Sequence, residues 1–436
     1  MSGSDNENMR LPSASLSAGE HAERLRSAVA ELHRSEWSRI VATLARRFRD
    51  LDVAEEAAGE AFLVALERWR DGLPPNPGGW LMTTATHRAI DRLRRDSQRE
   101  SKYAAALAIG TVATVAEAPD DEAESMEAQG PIVDDRLRLM FTCCHPALAR
   151  DAQVALTLRM VGGLTVEEIS RGLLKSEAAV GQRITRAKAK ITAAHIPYRV
   201  PAEEDLPARL DAVLSVLYLV FNEGYLPGGE HELRPELSSE AIRLTRLLCE
   251  LLPAAHEASG LLALMLMTEA RRQSRISADG TLVPLAEQDR GAWGRELIAE
   301  GHALVRALIE SGEAPGRYQL QAAINAVHTF PRDIRDTDWD QLGTLYDQLY
   351  AINPTPIVAL NRAIVIAELD GPAVALADVE RLSMQQYHAW HATRADLLRR
   401  LGRSADARSA YDAAIDLAVN PAEVRYLKRR RASLGP

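Results

Sequence analysis

Residues Leu164–Lys190, LTVEEISRGLLKSEAAVGQRITRAKAK, read as helix, turn, helix. Thr165 precedes the first apolar repeat and Glu168 follows three residues later, the spacing of a capping box that starts a short helix. Ser176 is placed to cap a second helix. Ile169, Leu173, Val180 and Ile184 fall where they would form the small core that sets two helices across each other. The exposed face of the second helix carries Gln182, Arg183, Arg186 and Lys190, and residues 171–190 hold six bases against one acid. Such a helix suits a DNA major groove, with first-turn residues at base edges and later Arg and Lys side chains on phosphates. A solvated basic helix has the same composition, and this motif alone does not choose between the two.

Around the motif, charge is unevenly spread. The 436-residue chain carries a net charge of −9, which would argue against a nucleic-acid partner if it were uniform. It is not: residues 136–199 hold 11 Lys/Arg against 4 acids, and residues 24–102 hold 15 against 12. Residues 111–135 hold eight acids and no base, and residues 200–436 hold 25 bases against 33 acids. Two basic blocks are therefore separated by an acidic spacer and followed by a long acidic half.

Ala, Leu, Arg and Glu dominate and aromatics make up 5%, a composition of helix formers. The length exceeds what one core organises and predicts two to four domains. Apolar stretches such as Leu261–Met267 fall well short of the ~20 residues that span a bilayer. Met1–Leu16 has no basic or apolar region of a signal peptide, and three cysteines (Cys143, Cys144, Cys249) make no disulfide framework. The expectation is an all-α, cytoplasmic protein with no membrane partner and no cofactor.

Along the chain, residues 1–19 read as a disordered leader. Residues 20–105 follow a helical pattern, with Leu25, Val29 and Leu32, then Ile40, Val41, Leu44 and Phe48, at three- and four-residue spacing. Asp52 is expected to cap the next helix, with Glu55 three residues on, and that helix lines up Ala58, Ala61, Phe62, Ala65, Leu66 and Trp69. Leu73–Gly79 reads as a loop, and a further helix is expected from Trp80 to about Arg99. Residues 106–133 read as a flexible acidic linker, 134–198 as a second helical block, and 199–436 as a helical extension.

Near the end of the chain a period emerges. Asn353-Pro354 and Asn420-Pro421 lie 67 residues apart, about two tetratricopeptide units, which predicts tetratricopeptide-like repeats from about residue 317. Gly371 and Gly402 fall where such units turn, followed by Ala375 and Ala407 at small-residue packing positions. An intermediate boundary near residue 387 has no signature, and a generic helical bundle is the alternative.

The first basic block suggests a different chemistry. Trp80 opens its helix after a Gly/Pro loop, and Arg88, Arg92, Arg94 and Arg95 follow. An aromatic ring beside arginines is the arrangement that stacks and neutralises single-stranded DNA, each stacked base contributing about 1–3 kcal/mol. Trp80 as an ordinary core residue at a helix start is the competing reading.

Taken in series, these stretches resemble the extracytoplasmic-function (ECF) group of sigma-70-type RNA polymerase sigma factors. Asp52–Trp69, DVAEEAAGEAFLVALERW, is similar to region 2.2, which in that family docks on core polymerase. Pro77–Arg95, PGGWLMTTATHRAIDRLRR, is similar to regions 2.3–2.4, which open and read the −10 element. The helix-turn-helix resembles region 4, which reads the −35 element. The C-terminal half resembles one subgroup, in which Asp134–Pro146, DDRLRLMFTCCHP, leads into region 4 and Tyr218–Tyr225, YLVFNEGY, opens a tetratricopeptide-like extension.

The resemblance implies promoter-specific transcription initiation with core RNA polymerase, through its β′ coiled coil and β flap, and no catalytic activity of the chain's own. It implies promoter DNA as a partner, duplex at −35 and melted at −10, and control through the extension, with a protein or small-molecule regulator on it. By position, Asp52, Glu55, Glu56, Glu60 and Phe62 would lie on or near the polymerase contact. Trp80, His87, Arg88, Asp91, Arg92, Arg94 and Arg95 would hold the melted strand. Lys175, Ser176, Glu177, Ala179, Gln182, Arg183, Arg186 and Lys188 would face the −35 element. Asn222, Glu223 and Tyr225 would serve between domains. Two positions depart from the family pattern: Gly59 in the docking helix and Gly181 in the recognition helix stand where longer side chains are usual.

Two other motifs read as structural. Cys143-Cys144-His145 invites a metal, but neighbours on a helix point about 100° apart and no second Cys/His cluster completes a ligand set. Glu223 and Tyr225 invite an acid–base pair, but no nucleophile, metal site or phosphate loop accompanies them. The remaining alternative for the whole chain is a tetratricopeptide-type adaptor whose helix-turn-helix acts as an ordinary transcription regulator.

Overall fold

In a computed structural model of the chain, residues 18–70, 72–107, 135–173, 175–225 and 235–434 are described. Most of the expected leader and of the acidic linker lies outside them. Among the described residues there are 18 α-helices and no β-strand. No described helix is long and apolar enough to cross a membrane.

The chain gathers into two compact units. One comprises Met1–Cys143, Ala155–Val166 and Gly181–Val200, and the other Cys144–Val154, Glu167–Val180 and Pro201–Pro436. In the first unit, α1 (Ala18–Phe48), α2 (Leu51–Arg68) and α3 (Pro77–Leu107) pack on one another, and α4 (Asp135–Cys143) packs on α1. The apolar positions read from the sequence form this core: Val29, Ile40, Val41, Leu44, Ala58, Ala61 and Ala65 are buried.

Three boundaries differ from expectation, one of them the end of α3, which falls at Leu107 and not at about Arg99. Asp50, not Asp52, caps α2, its carboxylate accepting from the backbone N–H of Asp52 (2.7 Å) and Val53 (3.0 Å). The preceding Arg49 takes a left-handed conformation (φ 53°) that ends α1 and aims Asp50 at the new helix, leaving Asp52 in the first turn with its side chain free for other partners. Helix α3 starts three residues before Trp80, because Asn76 accepts from Gly79 N–H (2.9 Å) and Pro77 supplies the fixed φ favoured in a first turn.

Segments of α5 (Arg150–Met160), α6 (Val166–Leu173) and α7 (Glu177–Ala193) follow. The α6–α7 pair is the expected helix-turn-helix: Ile169, Val180 and Ile184 are buried, and Ser176 Oγ accepts from Ala179 N–H at 3.2 Å.

From Pro201 on, the second unit holds α8 (Leu206–Tyr225), α9 (Pro235–Leu251) and α10 (His256–Glu269), packed together, and α11 (Arg295–Glu310) and α12 (Arg317–Thr329) close over α10. Then α13 (Trp339–Ile352), α14 (Pro356–Leu369), α15 (Pro372–Glu380), α16 (His388–Arg400), α17 (Ser404–Leu417) and α18 (Pro421–Ala432) each pack on the next. Helices starting at Pro356, His388 and Pro421 are 32 and 33 residues apart, close to the expected period. Gly371 (φ 90°) and Gly402 (φ 74°) make the turns within the pairs, and Ala375 and Ala407 are buried behind them. The boundary without a signature falls at Tyr387, which heads α16 without a side-chain cap. The indole of Trp390 anchors that end instead, donating to Val379 O at 2.8 Å.

Candidate polymerase and nucleic-acid interfaces

Helix α2 turns a stripe of alanines and Phe62 inward and leaves Asp52, Glu56 and Leu63 exposed. Phe62, expected at the polymerase contact, is a core residue: it is 5% exposed and packs in an aromatic cluster with His33 (4.7 Å) and Trp37 (6.2 Å). Leu63, one residue on and 63% exposed, is the apolar group on the outer face. Its position seven residues after Glu56 and three after Glu60 was the signal, since those spacings share a helix face.

The acids of α2 are occupied by bases that the sequence assigned to DNA. Arg92 pairs with Glu56, and Arg88 lies 3.5 Å from Glu60, both across the α2–α3 packing. Lys188 reaches Asp52 at 2.7 Å and also pairs with Glu55. Arg159 completes that cluster, bonding Glu55 Oε1 at 2.5 Å and Leu164 O at 2.9 Å. At 7% exposed, Lys188 does not lie on the open face of α7 with its neighbours. An ammonium this buried must be paired, and Asp52 and Glu55 supply the pairing.

A second contact holds the same segments together. The indole of Trp37 on α1 donates to the carbonyls of Arg159 (3.2 Å) and Met160 (3.1 Å). Gly163 (φ 77°) lies flat on that indole, where an added Cβ would come within 2.9 Å of the ring. Tyr198 donates its phenol O–H to Ala42 O at 2.9 Å, and burial pushes its ionisation well above the ordinary tyrosine range.

Of the residues expected at melted DNA, His87, Asp91, Arg94 and Arg95 are exposed, while Trp80 is half-buried, edge-on to Trp69 at 5.0 Å. On the helix-turn-helix, Lys175, Ser176, Glu177, Gln182 and Arg186 are exposed, and Ala179 and Arg183 are half-buried. Arg186 and Gln182 bond side by side at 3.3 Å, on the exposed face of α7. The two departing glycines are unconstrained: a Cβ at Gly59 or at Gly181 would meet nothing within 4 Å.

Family models described as "Sigma-70 region 2" and "Sigma-70, region 4" match residues 32–99 and 138–191, and "Family of unknown function (DUF6596)" matches residues 209–309. The ECF RNA polymerase sigma factor SigK of Mycobacterium ulcerans (strain Agy99) is 31% identical over 170 residues, 37% of this chain and 82% of its own. The chain belongs to the ECF RNA polymerase sigma factors. SigK of Mycobacterium tuberculosis (strain ATCC 25618 / H37Rv) gives the same 31% over 169 residues, 37% of this chain and 82% of its own. The uncharacterized protein R00370 of Rhizobium meliloti (strain 1021) is 42% identical over 391 residues, 88% of this chain and 90% of its own, so its likeness runs through the extension as well. No solved structure matches the chain significantly.

The sigma factor therefore carries a C-terminal helical extension beyond its sigma regions, and its family works with core RNA polymerase and promoter DNA rather than as enzymes. Within the extension, Tyr225 stacks on Phe221 (5.5 Å) beneath the guanidiniums of Arg275 (4.8 Å) and Arg272 (5.5 Å). Asn222 and Glu223 precede it on α8. Cys144 and His145 form a structural turn: Gln153 donates to both backbone carbonyls (3.2 and 2.8 Å), and burial and Arg209 hold the imidazole of His145 below its ordinary pKa.

Proposed function

We propose that this sigma factor docks on the β′ coiled coil of core polymerase through the outer face of α2, with Asp52, Glu56, Glu60 and Leu63 as the contact. In this reading residues 20–105 act as region 2, holding the melted −10 strand against Trp80, His87, Arg94 and Arg95. Residues 134–198 act as region 4, placing Ser176, Gln182 and Arg186 at the −35 element and meeting the β flap. Residues 199–436 are the regulatory extension, and the protein works in the cytoplasm.

The observation that carries the docking reading is the mixed character of the exposed α2 face, where a leucine 63% exposed stands among carboxylates. A partner with basic and apolar groups complements it. Support for regulation by the extension comes from Gly172 on α6, whose missing side chain seats Leu237 of α9; an added Cβ would come within 2.8 Å of that leucine. The first helix of the DNA-reading motif is thereby keyed to the start of the extension.

Co-elution with core polymerase tests the docking face. The wild-type chain is expected to bind, and the triple variant Asp52→Lys, Glu56→Lys, Glu60→Lys to lose binding while retaining its helical circular dichroism. Equal binding by both would remove α2 as the contact.

A further inference from the structure

The end of α10 and the turns after it gather four arginines. Arg272 is fully satisfied: Glu269 takes it with both carboxylate oxygens at 2.6 Å, and Gly224 O and Ser238 Oγ accept the rest. Arg271, Arg275 and Arg290 are different. Among the described residues, none of the three forms an ion pair with a carboxylate within 4 Å. Arg271 donates only to Asn325 Oδ1 (3.0 Å), and its Nε is buried with no acceptor. Arg290 spends one nitrogen on the carbonyls of His328 and Pro331 (2.8 Å each), while its Nη2 is buried and unmet. The buried Nε of Arg275 also lacks an acceptor, its guanidinium lying over the ring of Tyr225.

Two neighbours share the condition. Trp293, whose ring lies 4.8 Å from the Arg290 guanidinium, has a buried indole N–H without an acceptor, and His328 Nδ1 is buried and unpartnered. Burial, together with Arg271 and Arg290, holds His328 down at about 4, so at neutral pH it adds no charge. The carboxylate that acts on Arg290 is Asp333, which is already committed to Arg335 at 2.6 Å.

An unmet buried donor is costly, and an unpaired buried cation more so. Nothing in the described fold offsets that cost, yet the turns are well fixed: Gly294 N–H bonds Ala270 O (2.9 Å), Val283 N–H bonds Arg275 O (2.8 Å), and Ser274 Oγ bonds Asp289 O (3.1 Å). A rigid, concentrated positive site with several idle donors suits an anion.

We propose that Arg271, Arg275 and Arg290, with Trp293 and His328 beside them, form a binding site in the extension for the phosphate group of a small molecule. Donors arriving from the turn after α10, the turn at Arg290 and helix α12 suit a tetrahedral oxyanion better than a planar carboxylate, which presents two oxygens. The buried depth of the idle nitrogens favours a small molecule over the backbone of a nucleic acid. The site stands on the extension alone; that its ligand regulates transcription rests on the function proposed above, so the test reads binding and not transcription.

The experiment is calorimetric titration of the full chain with inorganic phosphate at constant ionic strength, alongside acetate. Saturable uptake of phosphate is expected, weakened at least tenfold in Arg290→Gln and in Arg275→Gln and unchanged in Arg335→Gln, whose guanidinium is exposed and already paired. Histidine resonances supply a second readout: phosphate should raise the pKa of His328 in the wild type and not in Arg275→Gln. Absence of saturable uptake, or uptake kept by both site variants, overturns the site. Equal binding of acetate and phosphate overturns the phosphate assignment.

Discussion

Lys188 Nζ lies 2.7 Å from Asp52 Oδ1, joining the helix that carries the exposed Arg186 to the first turn of the helix proposed to meet polymerase. The same ammonium pairs with Glu55, so the base is buried on carboxylates that a polymerase surface would also seek. Docking and this internal pairing then compete. Lys188→Met keeps the aliphatic stem and removes the charge, while Glu55 retains Arg159. Affinity for core polymerase is expected to rise roughly tenfold, about 1.4 kcal/mol, in a titration against labelled enzyme. An unchanged affinity would show that the two partners do not contend for Asp52.

Gly163 is the position where the contact beneath Trp37 is least forgiving. Its φ of 77° is disfavoured for residues with a side chain, and a Cβ would press on the indole at 2.9 Å. Gly163→Ala is expected to cost about 3 kcal/mol of unfolding free energy by combining backbone strain with overpacking. Urea denaturation followed by tryptophan fluorescence measures it, and a loss below about 1 kcal/mol would mean the ring moves aside freely.

Gly59 is the opposite case. It sits mid-helix in α2, and its missing Cβ would meet nothing within 4 Å. Gly59→Ala should therefore stabilise the unfolding transition of the first unit by about 0.5–1 kcal/mol, the ordinary difference in helix propensity. A destabilisation in the same denaturation experiment would contradict the open surroundings of that position.

The helix-turn-helix is legible in the sequence because its signals are local: Ser176 caps α7 within three residues, Val180 and Ile184 recur at four-residue spacing on α7, and both are buried, as is Ile169 of α6. The inward turn of Lys188 is not, because its partners lie 133 and 136 residues away in the chain and a basic residue on a basic helix carries no mark of which way it points. The cap of α2 is not decided by residue type, because Asp50 and Asp52 are chemically equal, and the left-handed Arg49 selects Asp50. Phe62 is a surface contact only by its position in a motif; its spacing of four residues from Ala58 and three from Ala65 places it on the buried stripe. Arg271, Arg275 and Arg290 carry no mark in the sequence that separates them from ordinary surface bases; their unmet buried nitrogens belong to the folded structure alone.

In the C-terminal pairs, His388 Nε2 lies 3.2 Å from a carboxylate oxygen of Glu423, tying the start of α16 to the start of α18. The hydrogen bond to Glu423 raises the pKa of His388 above 6.5, outweighing the opposing effect of burial. A histidine whose folded pKa is raised binds more protons folded than unfolded, so it contributes stability fully below its unfolded pKa. That contribution is lost as pH rises from about 6.5 through the folded pKa. Both side chains remain partly solvated, which limits the pair to about 0.5–1 kcal/mol. Hydrogen exchange of the α16 and α18 amides should therefore show Glu423→Gln less protected than wild type at pH 6 and nearly equal to it at pH 8.5. A gap that persists or widens at the higher pH would assign the contact to neutral hydrogen bonding instead of the charged pair.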